Sequence, residues 1–115
     1  MGRATGMGGF FFRSKEPKVL ADWYLKHFGI AKSDGMPWLT EAGMTVFAPF
    51  KADSDYFPAR SQFMINLRVE GINEIILGLE GDGTKVKRLP DDQYGIFAHC
   101  EDPEGTPIEI WQPLP

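Results

Sequence analysis

Apolar and polar positions follow one another along the chain in two segments that share the same order of elements. In the first segment, the apolar run of residues 9–13 is typical of a buried strand, and residues 14–17 have the polar start and early proline of a helix. Apolar residues then recur at helical spacing within residues 19–28, and Gly29 follows them in the position of a helix C-cap. This segment predicts a strand, a short polar break, an amphipathic helix and a closing glycine.

The second segment repeats that order. Residues 62–69 have the composition of a strand, and Glu70 and Gly71 interrupt it. A helical stripe then runs through residues 72–79 and ends at the glycine-rich residues 81–83, with apolar positions at Ile72, Ile75, Ile76 and Leu79. The chain therefore contains two similar units.

Short extended pieces separated by glycine, proline and acidic residues follow each predicted helix. They lie at residues 37–39 and 44–50 in the first half and at 84–89, 94–100 and 107–112 in the second. A further strand of the first unit is expected near residues 31–34. The pattern predicts an α+β fold in which βαβββ occurs twice, with the helices on one face of a curved antiparallel sheet.

One domain accommodates both units, because 115 residues suffice for one hydrophobic core but not for two independent ones. The first unit is assigned to about residues 5–50 and the second to about 61–115. The polar linker of residues 51–60 carries Tyr56, Phe57 and Pro58 in its middle. We interpret it as a loop that folds over a cleft.

The end of the chain combines a tight turn with a strand that carries a carboxylate. Asp102, Pro103 and Gly105 are turn formers, and the residues after Pro107 favour a strand. Strand alternation places Glu109 and Trp111 on one face and the two isoleucines between and before them on the other. A carboxylate and an indole on one face indicate a pocket wall.

The register of the last two strands follows from that turn. If residues 102–106 form it, residue 101 faces residue 107, so His99 lies opposite Glu109 and Phe97 opposite Trp111. His99 and Glu109 are therefore the candidate catalytic residues, as an acid/base couple in which the carboxylate orients the imidazole. The alternative is a stabilising cross-strand pair with no catalytic role.

Several aromatic residues are candidates for stacking against a flat ligand, although aromatic side chains in strands more often serve packing. The candidate ligand-binding residues are Trp38, Phe47, Phe57, Tyr94, Phe97 and Trp111. Cys100 alternates away from His99 and is expected to face the helices as a small core residue.

Charge and cysteine content narrow the partners and the compartment. Twelve basic and sixteen acidic residues give a net charge of −4 without a long charge run, which argues against nucleic acid or an anionic membrane as the main partner. A single cysteine allows no intrachain disulfide and favours a cytoplasmic location. We find neither a secretory signal pattern nor an apolar run of membrane-spanning length.

Four phrases in the chain resemble one superfamily. They are residues 12–17 followed by Ala21-Asp22-Trp23-Tyr24, residues 67–72, Tyr94-Gly95-Ile96-Phe97, and the closing residues 102–111. Together they are similar to the glyoxalase, bleomycin-resistance and ring-cleaving dioxygenase superfamily, also called the vicinal oxygen chelate fold. The resemblance covers nearly the whole chain, and the closing phrase is its most specific part. It implies two βαβββ modules that form an open, barrel-like sheet around a cavity. Because small members of this superfamily are commonly homodimers, it also implies a homodimer.

Metal-dependent members of that superfamily hold a divalent ion with His and Glu side chains from the first and last strands of each module. Glu109 matches the last ligand position, whereas the other three positions fall at Gly9, near residues 46–48, and at Met64. None of these is His, Asp or Glu. Because a divalent ion needs about three protein donors, we expect no cofactor and no family-type metal site, Glu109 serving as a ligand only in a nonstandard one.

Three functions from different classes follow. The first is a metal-independent small-molecule-binding protein similar to the antibiotic-sequestering branch, in which Glu109 holds one polar group of the ligand. The second is an enzyme, a lyase, isomerase or dioxygenase relative that uses Glu109 with His99. The third is a non-catalytic interaction subunit whose cavity is filled by its own side chains.

Overall fold

The second half of the chain forms a complete strand–helix–three-strand unit. The structure is a computed structural model that describes residues 1–30 and 37–115. In chain order its elements are α1 Pro17–Phe28, β1 Ile65–Arg68, α2 Ile72–Gly81, β2 Lys87–Arg88, β3 Gly95–Glu101 and β4 Pro107–Pro113. The unit from β1 to β4 has the predicted order, and the fold is α+β.

The four strands form one mixed and open sheet, so the prediction of an antiparallel sheet is wrong for the pair β1 and β4. Their order is β1-β4-β3-β2, in which β4 runs parallel to β1 and antiparallel to β3. The parallel pair requires a crossover, which α2 begins. The register of β3 with β4 pairs Glu101 with Pro107 and His99 with Glu109, as the sequence predicts.

The hydrophobic core lies between one face of this sheet and the two helices. Alternate residues of β3 and β4 face it, among them Ala98, Cys100, Ile108 and Ile110. The helices contribute Leu20, Tyr24, Ile72, Ile76 and Leu79. The predicted helical stripe of α2 and the predicted orientation of Cys100 are therefore confirmed, and both helices cover the same face.

The closing turn connects this core to the start of α1. The buried carboxylate of Asp102 accepts hydrogen bonds from the Glu104 and Thr106 backbone N–H groups at 2.8 and 3.0 Å, and from the Tyr24 hydroxyl at 2.7 Å. The Glu104 carboxylate accepts hydrogen bonds from the Ser14 hydroxyl at 2.7 Å and from the Lys15 N–H at 2.8 Å. The turn therefore holds β3, β4 and α1 in fixed relation to one another.

The first half departs from the sequence prediction. The strands predicted at residues 9–13, 37–39 and 44–50 are wrong in this structure, since no strand occurs there. The strand expected near residues 31–34 lies outside the described residues. A strand needs a partner for its backbone N–H and C=O groups. The edges of this sheet are the short strands β1 and β2, and the described residues of the first half pair with neither. Phe10 and Phe12 instead pack their rings near Phe63, at centroid distances of 5.1 and 6.3 Å.

The helices are short relative to a bilayer. Within residues 1–30 and 37–115, no helix is both long enough and apolar enough to cross a membrane.

Candidate functional site

The sheet face turned away from the helices carries the polar side chains predicted from the register. Asn66 of β1 pairs with Glu109 of β4, and Glu109 pairs with His99 of β3, so that three adjacent strands bring these residues together. Phe97 and Trp111 form the next pair along the same face. The predicted neighbourhood of His99, Glu109, Phe97 and Trp111 is confirmed.

Glu109 is the centre of this group. Only 7% of the residue is exposed, and both carboxylate oxygens have hydrogen-bond partners. The Asn66 amide donates to Oε1 at 2.7 Å, and His99 Nε2 lies 2.8 Å from Oε2. The Tyr56 hydroxyl also donates to Oε2. A buried carboxylate satisfied by three donors is a fixed acceptor with a defined direction.

The same contacts determine the protonation states. Burial alone would raise the pKa of Glu109, but the hydrogen bonds from His99, Tyr56 and Asn66 outweigh it and hold that pKa below its ordinary value. Burial raises the pKa of Tyr56, and the hydrogen bond to Glu109 and its negative charge raise it further. At neutral pH the site therefore contains a carboxylate that accepts and a phenol that donates.

Tyr56 reaches this face from the linker. The turn before it contains a hydrogen bond from the Ser54 N–H to the Lys51 carbonyl at 3.0 Å, and the Tyr56 N–H donates to the Ser54 hydroxyl at 3.2 Å. The ring of Phe50 packs near that of Tyr56 at 5.6 Å. The linker thus brings the Tyr56 hydroxyl to the Glu109 carboxylate, a contact that was not predicted.

Arg60 anchors the far end of the linker to the closing turn. Its guanidinium donates to the Gly105 carbonyl at 2.7 Å and to the Glu101 carboxylate at 2.5 Å. At the other end of the face, Arg68 of β1 donates to the Glu41 carbonyl at 2.9 Å and to the Met44 carbonyl. Arginine side chains therefore attach both the linker and the 41–44 segment to the sheet.

Two cavities adjoin the group. The larger, an open groove of about 1330 Å³, lies between linker residues 53–59, residues 82–87 and the start of β4, and His99 lines it. The smaller, of about 450 Å³, lies between Tyr56, Phe97 and residues 89–92. Tyr56 lines both. In the part of the chain that the structure describes, Glu109 lines neither of these two cavities, but its hydrogen-bond partner Tyr56 lines both and its partner His99 lines the larger.

Of the six predicted aromatic residues, four lie at the larger cavity or at the stacked Phe97–Trp111 pair, and two lie on the irregular first half. Phe57 lines the larger cavity, and Phe97 stacks in parallel with Trp111 at a centroid distance of 6.0 Å. The indole N–H of Trp111 donates to the Tyr94 carbonyl at 2.9 Å, while the Tyr94 side chain is mostly exposed. Trp38 and Phe47 lie on the irregular first half, with 49% and 82% of the residue exposed, and line neither cavity within the described residues.

Two members of the group, Asn66 and Tyr56, were not predicted from the sequence. Asn66 lies beside Glu109 because β1 pairs with β4 in parallel, and this long-range pairing has no local signal in the sequence. Tyr56 carried only a weak signal, an aromatic residue in the middle of a polar linker. No sequence pattern links it to a carboxylate 53 positions away.

The donor set of this site does not fit a divalent metal ion. Glu109 and His99 are the residues of ligand type in it, and the carboxylate oxygens are already engaged by hydrogen-bond donors. Among residues 1–30 and 37–115, no three His, Cys, Asp or Glu side chains are grouped closely enough to hold a metal ion. Three protein donors are the usual minimum for such a site.

Searches of protein-family models, of curated proteins and of solved structures return no match for this chain. Its function is therefore inferred from the geometry around Glu109.

Proposed function

We propose that this chain is a small-molecule-binding protein of the glyoxalase and bleomycin-resistance type that works without a metal ion. The observation that carries the proposal is the buried Glu109 carboxylate, held by three donors, two of which, Tyr56 and His99, line a cavity. A buried charge is expensive to maintain unless it is fully paired, and a fixed acceptor with aromatic neighbours is a common way to orient an organic ligand.

The protonation state favours binding over proton abstraction by Glu109. A general base is most effective when its pKa lies near the working pH, and the pKa of Glu109 is lowered instead. A carboxylate that stays ionised is a weak base but a strong hydrogen-bond acceptor. Its role is to hold a donor group of the ligand.

The two-module barrel is part of the proposal. Support comes from the second half, which has the βαβββ order with β4 between β1 and β3. Further support comes from the first half, where apolar residues such as Phe11, Leu39 and Phe47 are largely exposed. Apolar surface of this kind is typical of an interface, so we propose a homodimer in which the first halves are covered.

A thermal-shift screen tests binding. Aromatic, glycopeptide and thiol-conjugate compounds are screened against the full chain, and a ligand at a hundredfold excess over its Kd stabilises by about 2.7 kcal/mol. Each hit is then titrated by calorimetry against the Glu109→Gln variant, with Glu80→Gln, on the exposed surface of α2, as the matched control. We expect the first substitution to weaken binding at least about tenfold and the second to leave it unchanged.

Two outcomes oppose the proposal. Equal affinity of wild type and Glu109→Gln would remove Glu109 from the binding site. An absence of hits across the panel would favour the third hypothesis, an interaction subunit whose cavity is filled by its own side chains.

A second candidate function is an acid/base reaction centred on His99. The observation that favours it is that His99 lines the larger cavity while Glu109 holds its Nε2. In such a lyase or isomerase reaction, Glu109 orients the imidazole and His99 transfers the proton. Incubating each hit with protein and following it by NMR tests this, since His99→Gln should abolish turnover and retain binding. Recovery of every hit unchanged would exclude turnover of these compounds.

A further inference from the structure

The ring of Tyr56 lies on the sheet face turned away from the helices, in a slot formed by Glu109, His99 and Phe50. Its hydroxyl donates to Oε2 of Glu109. The imidazole of His99 meets the ring edge to face, at 5.1 Å and 89°, and the ring of Phe50 lies at 5.6 Å. A phenol is thus held by an ionised acceptor at its oxygen and by aromatic partners along its ring, in a geometry that aromatic pairs favour.

The phenol in that slot belongs to a loop and not to the sheet. Tyr56 is 42% exposed, and most linker residues between 51 and 60 are exposed as well. Segments with few buried contacts open at lower free energy than the core does. The linker is anchored at Arg60, four positions beyond Tyr56 in the chain, so the tyrosine can leave while the linker stays attached.

Tyr56 lines both cavities and donates to Oε2 of Glu109, so removal of its ring would free that oxygen and leave open the space that the ring fills. The exposed carboxylate oxygen would still have His99 beside it, and Asn66 would still hold the other oxygen. Oε2 of Glu109 would then lack the neutral hydroxyl donor that Tyr56 supplies, and the slot would lack its aromatic ring. An anionic ligand would be repelled by the Glu109 charge, and a hydrocarbon would bring no donor to the open acceptor position.

We infer that the Tyr56 slot is a binding subsite for a phenolic ring, and that the linker tyrosine is a built-in competitor which a phenolic ligand displaces. This inference rests on the proposed binding function and names its ligand class: neutral hydroxyaromatic compounds. Tyr56 then sets specificity, since a ligand must replace both the hydrogen bond and the ring contacts that the protein already makes for itself.

The test uses two probes that differ only by a hydroxyl group, 4-methylphenol and toluene. Each is titrated into the full-length wild type, Tyr56→Phe and Tyr56→Ala by heteronuclear NMR. The Tyr56→Ala variant is expected to bind 4-methylphenol at least about tenfold more tightly than toluene, as a hydrogen bond to a charged acceptor requires. Affinity for 4-methylphenol is expected to increase from wild type to Tyr56→Phe to Tyr56→Ala.

The intermediate place of Tyr56→Phe separates this inference from a simple cavity effect. That variant keeps the ring and removes only the competing hydroxyl, so a gain over wild type reports the hydrogen bond alone. Adding Glu109→Gln to Tyr56→Ala is expected to reduce the preference for 4-methylphenol severalfold, because a neutral acceptor forms a weaker bond. If Tyr56→Ala does not fold, the comparison of Tyr56→Phe with wild type still decides.

Equal affinity of Tyr56→Ala for both probes would overturn the inference, and so would identical binding of 4-methylphenol by wild type and Tyr56→Phe. If screening hits bind wild type through Glu109 while the probes show no hydroxyl preference, the inference falls and the proposed function stands. If the preference appears in Tyr56→Ala but no compound binds wild type, the slot accepts a phenol only after Tyr56 is removed, so displacement of the tyrosine and the proposed function both fall.

Discussion

Replacing Tyr24 by Phe should measurably destabilise the protein by removing one oxygen atom. The Tyr24 hydroxyl donates at 2.7 Å to the carboxylate of Asp102, and both residues are buried. The ring itself packs near Trp23 and Phe28, at centroid distances of 5.0 and 6.2 Å, and phenylalanine keeps those contacts. The substitution therefore isolates the bond that connects α1 to the turn before Glu109.

The expected loss is about 1.5–3 kcal/mol of unfolding free energy, the usual net contribution of a hydrogen bond to a charged group. Asp102 keeps its two backbone donors, so the carboxylate is not left without partners. Against a typical total of about 5–15 kcal/mol, this is a substantial fraction. The same change should lower Tm by roughly 5–15 °C for a domain of this size.

Urea unfolding followed by circular dichroism measures the loss. Tyr94→Phe is the matched control, because that side chain is mostly exposed, and it should change stability by less than about 0.5 kcal/mol. In an Asp102→Asn background the cost of Tyr24→Phe should fall to about 0.5–1.5 kcal/mol, since the acceptor is then neutral. A Tyr24→Phe effect no larger than that of the control, or equal costs in both backgrounds, would show that the Tyr24–Asp102 hydrogen bond does not stabilise the fold.

Three further predictions concern pH, backbone conformation and thiol reactivity. Burial alone would raise the pKa of Glu109, but the hydrogen bonds to its carboxylate outweigh burial and lower that pKa in the folded protein. The charge of Glu109 should therefore stabilise the fold fully above the unfolded pKa of about 4.3. This stabilisation should be lost as the pH falls through the lower folded pKa. The Tm gap between wild type and Glu109→Gln should therefore shrink below about pH 4; a constant gap from pH 7 to 3 would contradict this. Gly95→Ala should lower the free energy of unfolding, measured in urea, by at least about 2 kcal/mol, because φ is +134° and the added Cβ would lie 2.1 Å from a backbone carbonyl oxygen. Gly78→Ala, within α2, should instead raise that free energy by about 0.5–1 kcal/mol. Effects of the same sign would argue against that geometry. Burial foremost, helped by neighbouring carboxylates, raises the pKa of Cys100 to about 12, so iodoacetamide at pH 8 should alkylate the native thiol more than about a hundredfold more slowly than free cysteine. Labelling at the free rate would show that the thiol is accessible and ionised.

The helices and the second unit were predictable because their signals are local. The apolar spacing in residues 72–79 and the glycine after α1 depend only on neighbours in the chain. The register of β3 with β4 was also local, because a short turn leaves one alignment that keeps the isoleucines inside. That alignment brought His99 to Glu109.

For the described residues of the first half, local signals predicted strands that do not form in this structure. Residues 9–13 and 44–50 have strand composition, but composition does not supply the neighbouring strand whose N–H and C=O groups a ladder needs. In this structure those residues have no strand, and many of their apolar side chains are exposed.

The α+β class, the βαβββ order of the second half and the pairing of His99 with Glu109 were therefore readable from the chain, since each follows from hydrophobic period, turn chemistry and short loops. The surroundings of the Glu109 carboxylate depend instead on long-range packing. Asn66 arrives through a parallel pairing across a crossover, and Tyr56 arrives through a linker whose path depends on Arg60 and on aromatic packing. Those contacts join residues far apart in the chain. No local pattern encodes them, because their burial and hydrogen bonding exist only when the whole chain is folded.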